Sequence, residues 1–66
     1  MTYYPKFTLP NHDPETVAAL DTSDGDAWEL SAVLDACAVH GATARLCDAA
    51  GWTRGHVDDT GGYRLE

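Results

Sequence analysis

Hydrophobic residues fall into four groups along the chain, each bounded by proline or glycine. Thr2, Tyr3, Tyr4, Phe7 and Leu9 favour extended backbone, and Pro5 and Pro10 punctuate them. Because proline cannot donate to a ladder, residues 1–10 are expected to form an edge strand or an extended arm. Asn11 and Asp13 then mark a turn. Asp13, Pro14 and Glu15 open a helix with an acceptor at the cap, proline at the first position and an acid at the positive dipole end. Val17 and Leu20, three apart, share the inner face of that short helix over residues 14–20. The longest apolar segment follows. Leu30, Val33, Leu34, Cys37 and His40 recur at spacings of three and four, which predicts a helix over residues 27–40. Asp26 and Glu29 fit a capping box at its start, and Gly41 stops it. Ala32, Ala36 and Ala38 would let another helix approach closely.

Residues 42–65 read as two further short helices around a glycine. Thr43 is a cap for a helix carrying Leu46, Cys47, Ala49 and Ala50, and Gly51 supplies the positive φ of a helix stop. Trp52 follows as an apolar anchor. Thr53 is a second cap, opening residues 54–59 with Val57 turned inward.

Small residue, turn glycine and later apolar residue, at Cys47, Gly51 and Val57, resemble the helix-turn-helix motif. Gly61, Gly62, Tyr63, Arg64 and Leu65 are similar to the wing strand of winged-helix proteins, with which the N-terminal arm would pair. The resemblance implies one α+β domain over residues 1–66, a miniature winged helix with three or four short helices and a short β element. It also implies a non-enzymatic regulator that reads duplex DNA as a homodimer. Thr53, Arg54 and His56 would lie on the recognition helix, and Tyr63 and Arg64 on the wing.

Charge pulls the other way. Eleven acidic residues against four basic ones leave a formal charge of −7, which disfavours broad attraction to nucleic acid and to anionic membranes. A second expectation is therefore an acidic protein-binding module that imitates DNA, with Asp21, Asp24, Asp26, Asp58 and Asp59 as its contact set. The 21–26 loop packs carboxylates around Gly25 but lacks the ligand spacing of a calcium loop. Cys37, His40, Cys47 and His56 make a zinc-type ligand set without a finger spacing, so no metal or other cofactor is expected. No nucleophile motif or phosphate-cradling loop points to an enzyme. No apolar run spans a bilayer and no signal-peptide pattern opens the chain, so a cytoplasmic protein with reduced cysteines is the expectation.

Overall fold

The computed structural model describes residues 1–11, 13–20 and 26–66. It is a five-stranded antiparallel sheet with one face packed on a helix. In chain order the elements are β1 (Thr2–Thr8), α1 (Pro14–Leu20), β2 (Trp28–Glu29), α2 (Leu30–His40), β3 (Thr43–Cys47), β4 (Thr53–Val57) and β5 (Tyr63–Leu65). The spatial order is β2-β1-β3-β4-β5.

The expected set of three or four helices with a short β element is corrected by this sheet. Both segments assigned to the helix pair are strands. In β3 the buried residues are Ala44 and Leu46, joined by Cys47 at the register shift, and in β4 they are Gly55 and Val57; the alternation from Thr43 to Leu46 and from Arg54 to Val57 is the period of two of a strand. Gly51 does take positive φ, 91°, but in a hairpin turn rather than after a helix. Trp52, expected as an inward anchor, is 69% exposed beside that turn.

Elsewhere the local signals hold. Thr16 N–H donates to Asp13 Oδ2 at 3.2 Å, so Asp13 caps α1. Gly41, at φ 65°, closes α2 in the left-handed conformation. The start of α2 differs from expectation. Trp28 and Glu29 are drawn into β2 by pairing with Tyr3 and Thr2, so the helix begins at Leu30, and Glu29 at its N-cap makes no side-chain capping bond.

The first strand pairs with β2 at Thr2 and Tyr3 only, and with β3 from Tyr4 to Thr8. It therefore joins β3 rather than β5, the segment expected as the wing. Pro5 lies past the short β2, where β1 has a single neighbour and a missing N–H is tolerated. Val33 and Cys37 of α2 pack against Tyr3, Ala44, Leu46 and Val57 on one face of the sheet, with Phe7, Trp28, Leu30 and Leu34 around them. Phe7 and Trp28 meet edge to face with ring centroids 5.3 Å apart. Leaving one face of an antiparallel sheet open to solvent is common, and here it positions the site.

Candidate functional site on the open sheet face

Strand alternation puts a side chain on the open face at every second residue. Register then lines up Lys6, Arg45, His56 and Arg64. Lys6 is the cross-strand partner of Arg45, Arg45 of His56, and His56 of Arg64. All four side chains are exposed, whereas their neighbours Pro5, Ala44, Leu46, Gly55 and Val57 are buried on the helix side. With strands about 4.8 Å apart, the row crosses roughly 14 Å of sheet. Three of the four Lys and Arg residues in a chain of charge −7 thus stand in one line.

Like charges opposite one another across strands destabilise a sheet, so such a row has a cost that an anion would relieve. Thr8 and Thr43, themselves partners, lie next to the row and supply hydroxyl donors. Together with Arg45, His56, Asp58 and Arg64 they line an open concavity of about 480 Å³. Glu66 Oε1 approaches His56 Nε2 to 3.3 Å, a carboxylate already occupying part of the row.

The fourth guanidinium is diverted. The register of β3 against β4 shifts between Leu46 and Cys47, which leaves Arg54 without a partner across β3. Its Nε donates to Asp48 Oδ2 at 2.9 Å. Asp48 also accepts the N–H groups of Ala50 and Trp52 at Oδ1, each at 2.9 Å. The β4–β5 turn is built the same way: Asp58 Oδ1 accepts the N–H groups of Thr60 and Gly62 at 2.9 Å and the Thr60 hydroxyl at 2.7 Å. At Asp48 partial burial works to raise the carboxyl pKa, but the Trp52 N–H, Arg54 and the Ala50 N–H outweigh it and hold it below the ordinary value. At Asp58 the Thr60 hydroxyl, the Thr60 N–H and the Gly62 N–H do the same.

The residues expected to read DNA are therefore partly brought together. His56 and Arg64 are direct partners in the row. Arg54 is neutralised beside the β3–β4 turn, Thr53 pairs with Cys47 beyond the register shift, and Tyr63 lies on the opposite face with Val57. Of the acidic set, Asp21 and Asp24 lie outside the described residues, and Asp58 is committed to its turn, whereas Asp26 and Asp59 are exposed. Among the described residues no group of three or more Cys, His, Asp or Glu side chains could hold a metal. Cys37 faces the core from α2 while His56 is on the open face, and burial with the Asp58 charge pushes the Cys37 thiol up to about 11.

Lys6 and Arg45 were not among the expected site residues. The missed signal is a repeat ten residues long: Asp48, Gly51 and Arg54 recur as Asp58, Gly61 and Arg64. Two equal turns imply a meander of three strands, and its register carries Arg45 to His56. No helix among the described residues is long and apolar enough to cross a membrane. No protein-family model, curated protein or solved structure matches the chain, so the functional reading stands on its side chains.

Proposed function

We propose that this chain is a small non-enzymatic binding module that holds a nucleic-acid backbone on the open face of its sheet. The observation that carries the reading is the cross-strand row of Lys6, Arg45, His56 and Arg64 in a chain whose overall charge is −7. At physiological salt charges more than about 8 Å apart are largely screened, so the local row outweighs the carboxylates distant from it. Guanidinium groups pair with phosphate oxygens through two parallel N–H donors, and threonine hydroxyls beside them add neutral contacts.

Fluorescence titration of labelled single-stranded and duplex oligonucleotides at low salt tests this. Binding is expected, with log K falling against log salt at a slope between about −2 and −3, the value for three cations releasing counterions. Arg45→Ala and Arg64→Ala should each flatten that slope by about 0.7 to 0.9. No binding of either form in low salt would remove the proposal.

A further inference from the structure

Resting on that reading, we infer that the partner is a single strand of nucleic acid running across the β-strands along the row, rather than a duplex. Three features set this path. Among the described residues the row reaches an unpaired strand edge at both ends: β2 pairs with β1 only at Thr2 and Tyr3, so no described strand pairs with β1 beside Lys6, and β5, which carries Arg64, is the last strand of the sheet. A linear polymer can therefore enter at one edge and leave at the other.

The second feature is lateral. Asp48 lies in the turn before β4 and Asp58 directly after it, so each side of the row is bounded by a carboxylate. Both are held as anions by their own turn, through the N–H groups of Ala50 and Trp52 and of Thr60 and Gly62. The five residues of β4 between them span about 17 Å at roughly 3.3 Å per residue. One phosphate backbone fits over the cations in that width. A duplex laid there brings its second backbone over a carboxylate.

The third feature is the surface itself. The concavity is shallow and strand-built, and the one described helix longer than two turns, α2, packs on the other face, so no element projects into a groove to read base edges. Contacts come from cations and hydroxyls to the backbone, the mode of sequence-tolerant single-strand binding.

The test uses the whole chain and a labelled mixed-sequence 12-nucleotide probe, long enough to overhang the row at both edges and within the roughly 4–16 nucleotides of known single-strand sites. The probe is offered as single-stranded DNA, as single-stranded RNA and as the matched duplex. Single strands of either sugar should bind at least about tenfold tighter than the duplex, with a salt slope near −2. Asp58→Asn keeps the acceptor oxygen that the turn needs and removes the boundary charge, so it should raise duplex affinity more than single-strand affinity. Arg54→Ala should leave the slope unchanged, because Asp48 already neutralises that guanidinium. A duplex bound as tightly as the single strands, or an Asp58→Asn variant with unchanged discrimination, overturns the single-strand path while the backbone-binding reading stands. Failure of all three probes in low salt overturns both.

Discussion

At Gly55, β4 passes so close to β5 that an added Cβ would lie 2.8 Å from the Arg64 carbonyl oxygen and 2.9 Å from Leu65 Cδ2. Glycine here is a packing requirement. Gly55→Ala should destabilise by about 1–3 kcal/mol, because a backbone oxygen cannot move aside as a flexible side chain would. Urea unfolding that leaves the midpoint unchanged would contradict the close approach. Trp52 gives the opposite expectation. Being 69% exposed, it should tolerate Trp52→Ala within about 0.5 kcal/mol, whereas a buried anchor would lose about 3–5 kcal/mol. Cys37, with its thiol raised to about 11, adds a third residue-level consequence. A folded pKa above the unfolded one favours the native state below the unfolded value and loses that contribution as pH rises toward 11. Thermal melts should show stability falling between about pH 9 and 11, and Cys37→Ala should flatten the fall.

The elements show why some of the fold was legible in the sequence and some was not. Both helices carry local signals that no strand competes for: Asp13 and Pro14 at one start, and the spacing of Val33, Leu34 and Cys37 closed by Gly41. The region from Thr43 onward carries signals that two structures share. Threonine is a helix cap and a good strand former, and glycine with positive φ ends a helix or turns a hairpin. Ala49 and Ala50 tipped the balance toward helix, yet both lie in the turn. The period-two pattern that would have corrected this is faint, because its inward positions include Ala44 and Gly55, whose side chains are a single methyl and a hydrogen. The candidate site was half legible for the same reason: His56 and Arg64 are eight residues apart, but Lys6 joins them only through the register of β1 on β3. The twin aspartate turns make an element-level prediction. A carboxyl held below its ordinary pKa in the native state stabilises it above the unfolded pKa, near 3.9, and that contribution is lost as pH falls through the folded value. Stability should therefore decline below about pH 4, and Asp58→Asn should make the decline shallower; melts with the same acid profile in both proteins would deny Asp58 this role.

At the scale of the whole molecule the opposite charges are sorted. The cations stand on β1, β3, β4 and β5, while the described carboxylates outside the row lie at the helix starts, on α2 and in the turns. On the proposed reading, a molecule of 29 × 23 × 15 Å with its basic line on one broad face meets an anionic polymer in one orientation, helix side outward. The sequence provides an internal reporter of that orientation. Lys6 is the only lysine, and it stands at one end of the row; the other primary amine is that of Met1, 3.5 Å from Glu29 and off the row. Under mild acetylation in the free protein both amines are open to reagent, since Lys6 and Met1 are exposed. When nucleic acid lies across Arg45 and Arg64, the Lys6 ammonium is covered, so its modification should slow several-fold while Met1 keeps its rate. Mass spectrometry of the peptide around Lys6 reads the two rates within one sample. Equal slowing at both amines would mean that the polymer wraps the molecule without choosing a face, and protection of Met1 alone would place it on the β2 edge.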